Sequence, residues 1–206
     1  MPTWYLDLLM PTILGILAVA MLAMGLWVLI TRRPYLISAR WMLSLVLLSF
    51  LPNALLPMMS TIFNDGFRSI SDNVLTWAGP AMFFILAIFM SISMRGYIAI
   101  GITESSIREA LFTTIDKLAL PYEEALGSVR IPSIPAEIQV AVQAWIGSGQ
   151  LKARKAHSRA VLKEIASGMN QHFRQTKVRA NLVTPIFYVA LGLMLVVMNV
   201  ALIVVN

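Results

Sequence analysis

A bundle of four membrane-crossing helices, with one small α+β domain inserted before the last of them, is the fold class that the sequence predicts. Three observations carry this expectation. Four long runs are almost wholly apolar. The lysines and arginines fall almost entirely on one side of those runs. Between the third and fourth runs the pattern changes from continuously apolar to amphipathic.

The 206 residues are 58% hydrophobic and only 13% charged, against about 45–50% and about 25% in an ordinary soluble domain. A hydrocarbon layer about 30 Å thick needs ~20 apolar residues per spanning helix. The first run, Leu8 to Ile30, contains no charge. Its length, the lack of a basic stretch before it and Arg32-Arg33 after it argue against a cleaved signal peptide. The second run extends from Trp41 to about Phe63, the third from Val74 to Met94, and the fourth from Leu182 to Val205. These place residues 1–94 in a first membrane region, 95–181 in the inserted domain, and 182–206 in the last span.

Basic residues set the orientation. Three (Arg32, Arg33, Arg40) lie in the first loop and twelve between Arg95 and Arg179, but only Arg68 lies in the second loop. The rich side is expected in the cytoplasm, with both termini outside. Trp4 and Trp77 at outer ends, and Trp27 and Trp41 at inner ends, fit interfacial belts. A bacterial inner membrane is the expected location. The net charge of +6 suits the anionic inner leaflet. Nucleic acid is not an expected partner, because no concentrated basic face with base-reading elements is present.

Within the insertion, Tyr97 to Thr103 reads as a strand, with Ile98, Ile100 and Ile102 expected on the helix-covered face. Ser106 and Glu109 form an S-x-x-E capping box. A helix follows with Ile107, Ala110, Leu111, Ile115 and Leu118 at helical spacing, ending by Pro121. Leu120 to Ala125 is expected as a connector, and Ser128 to Ile131 as a short strand. Glu137 to Ile146 alternates clearly and predicts a strand. Gly147-Ser148-Gly149 predicts its hairpin turn, and Gln150 to Lys155 the returning strand. A second helix starts at His157 or Ser158, with Val161, Leu162, Ile165, Met169 and Phe173 on one stripe. The expected result is a two-layer β-α-β-β-(β)-α sandwich like a truncated ferredoxin-like arrangement, an analogy of architecture that licenses no function.

Two helices leave one sheet face open. Ala99, Gly101, Gln139, Ala141, Gln143 and Trp145 are expected there, small residues beside one large anchor, a surface suited to a protein partner or a second copy. Lys152, Arg154, Lys155, Arg159 and Lys163 form one basic cluster, and Arg174, Lys177 and Arg179 another; lipid headgroups are their expected contacts. Among the polar residues of the membrane region, Asp7 sits at the outer edge, and Asn53 and Asn199 lie in the outer halves of the second and fourth spans. Interhelical hydrogen bonding is the expected role of the asparagines. Pro52 and Pro57 interrupt the second span near Asn53.

No cysteine is present, which excludes disulfides and thiolate chemistry. His157 and His172 are too far apart in sequence to share a ligand face, and each is expected at the surface. No metal, cofactor or catalytic motif stands out. A non-enzymatic accessory, scaffold or sensor subunit is therefore expected. The alternatives are a small oligomeric transporter or channel, drawing on Asn53 and Asn199, and a lipid-modifying enzyme. The last would have only Arg95, Glu104, Glu123, Glu124 and His172 to draw on.

Overall fold

The computed structural model describes residues 4–51, 74–93, 96–125, 128–132, 136–153, 159–176 and 178–205. The chain divides into two compact units, Met1–Ala20 with Trp41–Met94 and Leu191–Asn206, and Met21–Arg40 with Arg95–Ala190.

The first unit is helical. It holds the N-terminal part of α1 (Trp4–Thr31), α2 (Ala39–Leu51) from Trp41 onward, α3 (Val74–Ser93) and the C-terminal part of the last helix, α6 (Val183–Val205). Among the described residues, two helical stretches are long and apolar enough to cross a membrane, Leu9–Thr31 and Val183–Val204. The corresponding apolar stretches of α2 and α3, Ala39–Leu51 and Ala78–Ile92, are shorter. The remainder of the expected second span, including Asn53, lies outside the described residues.

The second unit contains a six-stranded antiparallel sheet in the order β1-β2-β6-β5-β4-β3. Its strands are β1 (Tyr35–Ser38), β2 (Tyr97–Ile100), β3 (Glu123–Ala125), β4 (Ser128–Ile131), β5 (Ala136–Gln143) and β6 (Ser148–Ala153). Helices α4 (Glu104–Lys117) and α5 (Arg159–Gln175) share one core with the sheet. Ile107, Leu111 and Ile115 of α4 meet Leu162, Ile165, Met169 and Phe173 of α5 there, over Val129, Ile131, Ile138 and Leu151. The helical stripes read from sequence are these buried faces.

β1 was not expected. It comes from the loop between the first two apolar runs, and it pairs with β2 from Tyr35↔Ile100 to Ser38↔Tyr97. The edge of β2 that the inserted segment leaves unpaired is thereby filled from outside that segment. β1 is itself an edge, with backbone groups available to any passing strand. The Asn170 side chain of α5 occupies them: Leu36 N–H donates to Asn170 Oδ1 at 2.7 Å, and Asn170 Nδ2 donates to Leu36 O at 3.0 Å.

Several boundaries differ from the sequence reading. Thr103, not Ser106, caps α4: its hydroxyl accepts from Ser106 N–H at 3.2 Å, while Ser106 Oγ accepts from Thr103 N–H at 2.8 Å. The reciprocal pair satisfies two backbone donors one turn earlier than the S-x-x-E pattern suggests. At the other end Ala119 adopts φ 50. Ala119 N–H donates to Asp116 O at 3.0 Å and Leu120 N–H to Ile115 O at 3.2 Å, a Schellman ending. Glu123–Ala125, expected as connector, is strand because β4 offers it a hairpin partner. β5 stops at Gln143, and the turn is residues 144–147. The Gly147 and Ile146 N–H groups both donate to Gln143 O, at 3.0 and 3.2 Å, and Gly147 supplies the positive φ that closes the loop. The return strand therefore begins at Ser148, with Gly149 inside it.

Candidate functional site

The hairpin tip between β5 and β6 is where the second unit concentrates its polar contacts. Asn181, just before α6, donates its N–H to Gly101 O at 3.0 Å. Its Nδ2 donates to Ala144 O at 2.8 Å, and its Oδ1 accepts from Val183 N–H at 3.0 Å. Thr184 N–H donates to Ile146 O at 3.1 Å, and the Thr184 hydroxyl donates to the same carbonyl. Gly101 and Ile102 N–H groups both donate to Gly147 O, at 2.9 and 3.1 Å. The start of an apolar, membrane-length helix is thus tied by side chain and backbone to a sheet hairpin. A Cβ at Gly147 would lie 2.6 Å from the Asn181 side chain, so this approach requires glycine. Asn181 had no signal in the sequence beyond being polar at a helix start.

α1 and α6 also meet within this unit. A Cβ at Gly25 would lie 2.7 Å from Pro185 O and 2.9 Å from Val189 N, so the two backbones are close enough that only glycine fits. Small residues serve this purpose between apolar helices. α1 ends at Thr31, and Arg32 just past it has φ 51 and donates its N–H to Val28 O at 2.8 Å.

The sheet face away from α4 and α5 is not uniformly open, and two residues expected on it are buried. Pairing fixes the rows. Leu36, Ala99, Gly149 and Val142 are successive cross-strand partners, as are Tyr35, Ile100, Ser148 and Gln143. The first row belongs to the helix-covered side: Leu36 and Ala99 are in the core, with Val142 packed against it. Ala99 is therefore a core residue, and the isoleucine face of β2 points the other way. That second face is covered too. Ile100 is fully buried, yet stands apart from the core under α4 and α5. Gly101 is also buried, and its nearest neighbours are Val28, Asn181 and Pro34, from the ends of α1 and α6. Tyr35 shares this environment. Burial, and secondarily Tyr188, raises its phenol above the usual range. Its hydroxyl has no hydrogen-bond partner among the described residues.

Farther along the sheet the expected face is open. Gln139, Ala141 and Gln143 are exposed, while Ile138 is buried and Val140 and Val142 pack on the core. Trp145 is 79% exposed, but it stands in the turn beyond Gln143, beside the start of α6, and not on the strand.

Of the basic clusters, Lys163, Arg174 and Arg179 are exposed and Lys152 is half-buried. Arg33 donates from Nη1 to the Arg174 carbonyl. Arg154, Lys155 and Lys177 lie outside the described residues, and the Arg159 side chain is not described. Asp7 lies on α1, its side chain likewise not described. In the first unit Asn199 Nδ2 donates to Pro11 O at 3.0 Å, an interhelical hydrogen bond, while its Oδ1 is buried without a partner among the described residues.

His157 lies outside the described residues. His172, expected at the surface, is buried on the helix-facing side of α5, with Nε2 3.8 Å from Glu109 Oε1. Among the described residues no three His, Asp or Glu side chains form a metal-binding group. Glu104 and Glu123 are exposed and lie on separate elements, α4 and β3. The side chains of Arg95 and Glu124 are not described. Comparison with protein-family models, with curated proteins and with solved structures found no match.

Proposed function

We propose that this chain is a multi-pass inner-membrane protein without enzymatic activity, an accessory, scaffold or sensor subunit. In this reading four helices cross the membrane, and the sheet-bearing unit faces the cytoplasm. There it docks a second protein or a second copy of the chain.

One observation carries the reading. The exposed row Gln139, Ala141 and Gln143 leads directly to the exposed Trp145, on a hairpin bonded to the start of α6. Small and amide side chains beside a large aromatic anchor suit a protein contact. The anchor lies next to an apolar helix of membrane length. A partner reaching both is therefore one held at the same membrane surface.

The test uses the tagged full-length chain in mild detergent, with oligomeric mass and crosslinking to any co-purified subunit as readouts. Trp145→Ala and the pair Ala141→Arg with Gln143→Lys are expected to weaken association by about 30-fold or more, as truncating an interface anchor does. Unchanged association in both variants removes the proposal.

A further inference from the structure

A groove of about 710 Å³ lies in the sheet-bearing unit, lined by the last turns of α1, by β1 and by the end of α5. Its volume falls in the range that holds a small ligand, about 300–1,000 Å³. Its two ends differ in chemistry. Ala23, Met24 and Trp27 of α1 form an apolar wall, and Arg33 and Arg174 with Thr31 form the other end. Trp27 and Ala23 are exposed. The apolar wall belongs to a helix long enough to cross a membrane, and the arginines lie just past that helix and at the far end of α5. The Arg33 bond to the Arg174 carbonyl holds the two chain segments together at that end. Among the described residues no acidic side chain lines the groove, and no carboxylate pairs with either arginine.

We infer that this groove binds an anionic phospholipid, with an acyl chain along Ala23, Met24 and Trp27 and the phosphate against Arg33 and Arg174. The chemistry follows from the division. A guanidinium pair presents the forked donors that phosphate accepts. An apolar wall running from that pair along a membrane-length helix matches an acyl chain and gives a free phosphate or a soluble anion nothing to occupy. A zwitterionic lipid offers the same phosphate but brings a quaternary ammonium beside the two guanidinium groups, and that like charge offsets part of the attraction. The position is also that of the cationic pockets beside membrane helices which take acidic headgroups on the cytoplasmic side. This inference rests on the membrane reading above and is independent of any protein partner.

The experiment uses purified full-length protein in neutral detergent. Phosphatidylglycerol and phosphatidylcholine of identical acyl chains are titrated, and bound lipid is counted by native mass spectrometry. Phosphatidylglycerol is expected to bind at least about tenfold more tightly, the scale of two basic side chains at a headgroup. The Arg33→Gln/Arg174→Gln double variant should lose that preference while phosphatidylcholine binding stays unchanged. Arg174→Gln alone, at an exposed side chain, keeps the test valid where the double variant does not fold, and should lose part of the preference. Ala23→Phe should weaken both lipids by filling the wall, and Lys163→Gln, outside the groove, should change neither. Equal binding of the two lipids by the wild-type chain, or a preference that survives both arginine substitutions, overturns the inference. So does displacement of phosphatidylglycerol by glycerol phosphate at equal concentration, which would mark a site for the free phosphate. A chain recovered from cells without detergent sinks the membrane reading itself, whereas a detergent-requiring chain without lipid preference sinks only this inference.

Discussion

The two halves of the sheet are built by different means. In the far half, β5 is buried on one face only: Ile138 is in the core while Gln139, Ala141 and Gln143 are exposed. In the near half, β2 is buried on both: Ala99 lies under the helices, and Ile100 is buried on the opposite side. Alternation in sequence reports which face is apolar, not which element covers it. On a strand with one covered face the two questions have the same answer. On β2 they do not. Ile100 is buried on the face opposite the helix layer, and the small Ala99 faces that layer.

The sharpest way to break this comparison is a charge on each half. Ile100→Asp places a carboxylate in a site with no described partner, and is expected to cost more than about 4 kcal/mol, enough to prevent recovery of folded protein. Gln143→Lys, in the same cross-strand row two strands away, should change stability by no more than about 0.5 kcal/mol. The yield of folded protein, and circular dichroism melts of whatever is recovered in detergent, decide it. Similar melting temperatures for both would mean that the opposite face of β2 is open after all.

A smaller effect is expected at the mooring of the near edge. Asn170→Ala removes both side-chain bonds to Leu36 and should destabilise by about 1–3 kcal/mol. Hydrogen exchange should quicken at Leu36 and in β2 while β5 and β4 keep their protection. Uniform loss of protection across all six strands would show that the halves are one cooperative unit.

The smallest expected effect belongs to neither half. Ala119→Gly relieves the left-handed conformation at the end of α4 and should stabilise by roughly 0.5–1 kcal/mol. A rise in melting temperature with exchange in β1 and β2 unchanged gives the baseline against which the other two variants are read.

Much of the local structure was legible because it depends on neighbours in sequence. The stripes Ile107, Ala110, Leu111, Ile115 and Leu162, Ile165, Met169, Phe173 repeat at helical spacing, and burial follows the repeat. The alternation of Glu137 to Ile146 identified β5, which ends three residues earlier, at Gln143. The turn after it occupies residues 144–147 and not the expected Gly147 to Gly149, since Gly147, Ser148 and Gly149 all suit a turn locally. Only the bonds from Gly147 and Ile146 to Gln143 O choose between them. The candidate site was legible in part. Gln139, Ala141, Gln143 and Trp145 are exposed as read, whereas Ala99 and Gly101 are not. Arg33, Asn170 and Asn181 carried no periodic signal, since each acts on a segment distant in sequence or on a single turn.

By itself the sequence determined the apolar runs of α1 and α6, the two amphipathic helices, the inserted position of most of the sheet, and the asymmetry of charge. These follow from composition and period, which a chain carries with it whatever it packs against. Tertiary structure alone decided that four residues between Pro34 and Ala39 become an edge strand, and that the isoleucine face of β2 is covered by chain from the ends of α1 and α6. It also decided that Asn181 joins a hairpin to the start of a helix, and that Arg33 and Arg174 meet at one end of a groove. Each of these is a contact between segments far apart in sequence, and no local pattern encodes which distant backbone group or apolar face will arrive.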